Sequence, residues 1–86
     1  MGFLSYLFGT TKLNADPVQQ ELAGTIIEVA EGRQHAMDIV RFLKEQGWSR
    51  SDQGNRLTHA LSMVKVSRGD LYPAAKEIGR QIYVIL

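Results

Sequence analysis

From Pro17 onward, apolar residues return at steps of three and four, the period of helices that each hide one face. Leu22, Ile26 and Val29 form the first stripe, which Ala23, Ile27 and Ala30 widen. Asp16-Pro17 opens it. The aspartate can accept from free N–H groups of a first turn, proline is preset for the first helical position, and Gln19 stands where a capping box would close. Gly32 is the natural stop. A second segment continues to Gln46 with Ala36, Ile39, Val40 and Leu43 inward and Met37 and Phe42 flanking. The seam Leu22, Ile26, Val29, Arg33, Ala36, Val40, Leu43 keeps its phase across Gly32, so one continuous helix is the alternative, and it would call for a dimer to cover it. Two helices are favoured, because a lone long helix leaves a small chain little with which to cover it.

Gly47 ends that segment, Trp48 is placed to fold back over it, and Ser49 or Ser51 caps a longer helix with Asp52 in its first turn. Leu57, Ala60, Leu61 and Val64 make its inner stripe. His59, Met63 and Val66 fall on or near the opposite side, so the helix asks for a second neighbour or a partner. Gly69-Asp70 then ends one helix and caps the next, whose start Pro73 can shift. Leu71, Ala75, Ile78, Ile82 and Ile85 step four, three, four, three, beside a more polar line of Tyr72, Lys76, Gly79 and Tyr83. The final run Ile82-Tyr-Val-Ile-Leu86 is nearly all apolar, which predicts docking in the core or at an interface, with a short strand as the alternative.

These patterns predict an all-α fold: a small four-helix, bundle-like domain over residues 16–86, with helices near 17–31, 33–46, 51–68 and 71–85. Residues 1–15 form an N-terminal apolar segment and tether. In that segment Phe3, Leu4, Leu7 and Phe8 suit one greasy turn that folds onto the core or a partner. It is too short to span a bilayer, lacks the basic start of a signal peptide, and carries Tyr6 where a myristoylation signal wants Ser or Thr. A membrane-surface foot through residues 1–9 is the sharper reading, with only Lys12 to supply positive charge nearby.

Composition narrows the chemistry. The chain has 86 residues, 44% of them hydrophobic and 22% charged, which is ordinary for a globular domain of marginal size. It has no cysteine, so disulfides, thiolate metal sites and thiol nucleophiles are excluded, and a cytoplasmic location is the simplest expectation. Net charge is +1, but residues 49–86 carry six Lys/Arg against three Asp/Glu. That mild excess surrounds Arg50, Gln53, Asn55 and Arg56, which a helix-turn-helix could use to read guanine and adenine edges. Asp52 would repel phosphate and Gly54 weakens the helix, so a solvated polar helix start is the plainer reading.

Catalytic patterns are lacking: there is no Gly-rich phosphate loop, no HExxH and no nucleophile elbow. His35 and Asp38 can share a hydrogen bond, and nothing in the spacing makes them converge with His59 on a metal. No catalytic residue, metal or cofactor is therefore expected. The leading expectation is a non-enzymatic helical interaction protein, homodimeric, with Phe3, Leu4, Leu7, Phe8, His59, Met63, Val66, Tyr83 and Leu86 as the partner-facing candidates. A nucleic-acid-binding module and a membrane-surface adaptor are the two alternatives.

Overall fold

The computed structural model describes residues 16–86, so the expected apolar turn at Phe3, Leu4, Leu7 and Phe8 and its tether lie outside the described residues. Four helices follow one another: α1 (Pro17–Ala30), α2 (Ala36–Glu45), α3 (Arg50–Ser67) and α4 (Tyr72–Ile85). No strand occurs among the described residues, and the segment from Ile82 to Ile85 is helical. This is a small all-α helical bundle.

Gly32 decides the question left open between α1 and α2. Its φ of 78° lies in the left-handed region, which a side chain resists, and the chain bends through residues 33–35 before α2 begins. The helix expected from residue 33 thus starts at Ala36. His35 caps it: Nδ1 accepts from the Met37 N–H at 3.0 Å, and Asp38 reaches back to the His35 N–H at 3.2 Å. Gly47, at φ 74°, makes the corresponding turn into α3, where Ser49 accepts from the Asp52 N–H. Asp16 caps α1 as predicted by accepting from the Val18 N–H at 2.9 Å. Asp70 does not cap α4, which begins after Leu71 without a side-chain cap, because its carboxylate is turned to Arg68.

Ion pairs set the helix directions. Asp16 at the start of α1 meets Arg56 near the start of α3, and Glu31 just past the end of α1 meets Arg68 just past the end of α3. The two helices therefore run side by side in the same sense. α4 runs back along α3: Lys65 lies over the Tyr72 ring, and Tyr83 reaches Gly54. The first turns of α1 and α3 and the last turn of α4 consequently share one end of the bundle.

The core joins Leu22, Ala23 and Ile26 of α1, Ile39, Val40 and Leu43 of α2, Leu57, Ala60, Met63 and Val64 of α3, and Ala75 and Ile82 of α4. Full burial of each large member is worth about 1.5–3 kcal/mol. Met63 was nominated as partner-facing, but the second neighbour that the two-sided pattern asked for lies within the bundle, and Met63 is buried. α3 packs against α1 on one flank and α4 on the other, so its buried arc reaches round to Met63 and leaves Val66 outside. A second correction concerns α4. Its inner line is Ala75, Gly79, Ile82 and Leu86, in which Ile85 has no part. Gly79 belongs to that line because Leu61 of α3 sits where a Cβ would be, with a methyl carbon 2.6 Å from that position.

Glycines give a paired test of this description. Gly24 lies in mid-α1 with nothing within 4 Å of a Cβ, so Gly24→Ala is expected to stabilise the fold by about 0.5–1 kcal/mol. Gly32→Ala meets equally open space but a positive φ, and is expected to cost about 1 kcal/mol or more. Urea denaturation of both variants reads the two signs, and equal signs would contradict the assigned α1–α2 break.

Candidate interaction surface

Two features mark the end of the bundle where α1 and α3 begin and α4 finishes. One is a polar clamp. Gln19, fully buried on α1, donates from Nε2 to the backbone oxygen of Arg56 at 2.8 Å, and its Oε1 accepts from the Arg56 guanidinium at 3.3 Å. The same guanidinium donates to Asp16 at 3.0 Å and lies 4.7 Å from the centre of the Trp48 ring. That side chain thus joins α1, α3 and the connection before α3. Gln19 was expected to close the cap of α1, and instead it fills the α1–α3 interface. Burial works against the Asp16 charge, but the Arg56 hydrogen bond, the Val18 N–H and the guanidinium charge outweigh it and hold the carboxyl below its usual range.

The other feature is apolar. Tyr83 lies against the gap left by Gly54, with a ring carbon 3.7 Å from where a Cβ would stand, and its hydroxyl hydrogen-bonds Thr58 and the Gly54 carbonyl. That anchors the last turn of α4 while turning its neighbours outward. Tyr83 is 41% exposed, Val84 87% and Ile85 53%. Leu86 is half-buried and packs on the core, so of the two candidates in this run Tyr83 faces outward and Leu86 largely inward. Ile85 was expected inward on the α4 stripe, and Val84 was covered only by the expectation that the apolar run 82–86 docks in the core or at an interface. The available signal was Gly79: counting it as an inner position moves the α4 stripe and pushes Ile85 to the surface.

The remaining candidates separate. Val66 is 76% exposed but lies in the last turn of α3, at the opposite end of the bundle. His59 is half-buried and Met63 is in the core. Of the four residues considered for nucleic acid, Arg50 and Asn55 are exposed, Gln53 donates to the Trp48 carbonyl at 3.2 Å, and Arg56 is held in the clamp. The four are spread around α3, and half of them serve contacts within the protein.

Elsewhere the polar groups serve local structure. Arg68 ties Glu31 to Asp70, which raises the Arg68 pKa and lowers that of Asp70, with the mutual hydrogen bond the largest cause in both. His35 and Asp38 form the α2 cap. An open groove of about 360 Å³ between α1 and α2 is lined by Thr25, Gln34, Asp38, Arg41, Phe42 and Glu45, with Arg41 paired to Asp38 at 3.1 Å. Among the described residues no cluster of three metal-ligating side chains occurs, and no helix is long and apolar enough to cross a membrane.

Comparison with known proteins returns no match: no family model fits the chain, and no curated protein or solved structure is significantly similar to it. The surface is therefore read from its own chemistry.

The clamp yields two expectations. Arg56→Ala strips Gln19 Oε1 of a partner inside the α1–α3 interface and removes the Asp16 pair and the Trp48 stack, so a loss of about 1–3 kcal/mol is expected in urea denaturation. Arg56→Lys keeps the charge without the planar fork and should recover only part of it. The second expectation is pH-linked. Because the folded Asp16 pKa lies below the unfolded value, its contribution is complete above the ordinary carboxylate range and disappears as pH falls through the lowered pKa. Urea midpoints should thus drop on acidification below about pH 5. Asp16→Asn, which keeps a capping side chain, should flatten that slope, and an unchanged slope would remove Asp16 as its source.

Proposed function

We propose that this protein is a non-enzymatic helical interaction module, and that the last turn of α4 is the surface it presents to a partner. One observation carries the reading: Tyr83, Val84 and Ile85 stand exposed in succession on a turn fixed by the Tyr83 bonds to Thr58 and Gly54. A fixed apolar surface is better suited to recognition than a frayed one, since less ordering is needed on binding.

A second copy of the chain is the simplest partner. Related by a two-fold axis, the two α4 ends would cover each other with identical contacts. Three side chains make a small patch beside the about 800 Å² that each partner buries in a standard interface, so the pairing is weak and concentration-dependent. The absence of cysteine fits work in the reducing cytoplasm. The polar start of α3 gives less support to nucleic-acid binding, because Arg56 and Gln53 are engaged inside the protein.

Sedimentation equilibrium over a range of concentrations tests the pairing. The wild-type protein should gain mass as it is concentrated towards about 1 mM, the regime of weak complexes near 4 kcal/mol. Val84→Asp should stay monomeric with unchanged helical circular dichroism, because Val84 makes almost no contact inside the bundle. A wild type that remains monomeric throughout sinks the reading.

A further inference from the structure

We propose that α1 and α2 are a latent single helix, and that two copies of the chain exchange α1 by straightening the connection between them. In the exchanged pair each copy's α1 lies on α3 and α4 of the other, and a two-fold axis passes near Gly32. That interface is distinct from the last turn of α4.

The connection itself favours exchange. Residues 31–35 read Glu-Gly-Arg-Gln-His, with no proline and no β-branched residue, so only Gly32 opposes a continuous helix. It does so through its φ of 78°, and the space around it is open enough for a side chain. The buried faces on either side overlap in phase, since Leu22 and Val40 are eighteen residues apart, which is five whole turns. Straightened, the helix from Pro17 to Glu45 is about 43 Å long, beyond the 31 Å of the longest dimension of the described domain. One copy cannot cover such a helix, and a second copy can.

Packing points the same way. Within one copy α1 lies against α2, α3 and α4, with Leu22, Ala23 and Ile26 fully buried and Gln19 bonded to Arg56. Lifting α1 away exposes all of these groups. Exchange restores the same contacts from the other copy, the pair of Asp16 with Arg56 included. Only the connection changes: the surface pairs of Glu31 with Arg33 and Arg68 and the capping bonds of His35 and Asp38 are given up, and helical hydrogen bonds take their place. The exchanged pair thus differs from two monomers at residues 31–35 and in the freedom lost on association.

Because α1 must leave the core, exchange is set during refolding and not by mixing folded monomers. The test refolds the wild type and Gly32→Ala from urea at about 1 mM and measures mass by size-exclusion chromatography with light scattering. Gly32→Ala is expected to give a dimer, with a dimer-to-monomer equilibrium constant roughly 25-fold above that of the wild type, because each of the two connections gains about fivefold in helix preference. The isolated dimer should keep its mass for hours after dilution to about 1 μM, show more helical circular dichroism per residue than the monomer, and persist when Val84→Asp is added. A Gly32→Ala protein that stays monomeric overturns the inference. So does a dimer that separates within seconds of dilution or disappears with Val84→Asp, which would belong to the α4 surface instead. If Gly32→Ala fails to fold, the wild type refolded at the same concentration decides: a slowly separating dimer upholds the exchange, and its absence overturns it.

Discussion

The register between α1 and α3 depends on one buried amide. Gln19 occupies a position in the interface of two helices that run in the same sense, where an unpaired amide would cost about as much as several well-made surface interactions gain. Its two polar atoms are satisfied by one residue of the opposite helix, Arg56, through the backbone oxygen and the guanidinium. Sliding α1 by a turn would leave the amide without either bond. Asp16 and Trp48 complete the arrangement by taking up the remaining charge and face of the guanidinium, so the position of α1, the start of α3 and the connection before it are set together. Most apolar contacts in a small bundle tolerate sliding; this one does not.

A consequence is the placement of everything at that end. With α1 and α3 fixed in parallel, the long helix has α1 on one flank and space for α4 on the other, and α4 approaches closely because Gly79 accommodates Leu61. Tyr83 then meets Gly54 and Thr58, with its ring at ordinary contact distance from where a Gly54 Cβ would stand. Gly79 is thus the recess that the α3–α4 pair requires, and the Tyr83 hydrogen bonds fix the far end of α4. Together they determine how α4 is rotated, and that rotation turns Val84 and Ile85 away from the core.

Much of this was legible in the residue pattern. The helical class, the order of the helices, the Asp16 cap and the inner faces of α1 and α2 follow from periodicity and from the chemistry of helix ends, whereas the break at Gly32 was favoured over a continuous helix but not decided, because the apolar seam keeps its phase across it. The exceptions share a cause. A helical wheel assigns each residue to a face by its own polarity, whereas Gln19 is buried because of what Arg56 offers it, and Gly79 is an inner residue because of the shape of Leu61. Met63 was nominated for a partner although the two-sided pattern of α3 equally allowed a second neighbour, and only the packing shows that this neighbour is another helix of the bundle. Arg56 carried the opposite error: a charge near a helix start resembles a group waiting for phosphate until its internal partners are known. Pairwise information of that kind is absent from a one-dimensional pattern.

The surface at the end of α4 follows from the same geometry, and its energetics limit what can occupy it. Complete burial of three large side chains yields at most roughly 1.5–3 kcal/mol each, and Tyr83 and Ile85 are already partly covered. Bringing two free molecules together costs about 4–15 kcal/mol before any contact is counted, so one such patch on each copy comes close to balancing the cost without exceeding it by much. A partner on this turn would therefore gain little beyond the cost of association, and no helix of the closed core would have to move to admit it.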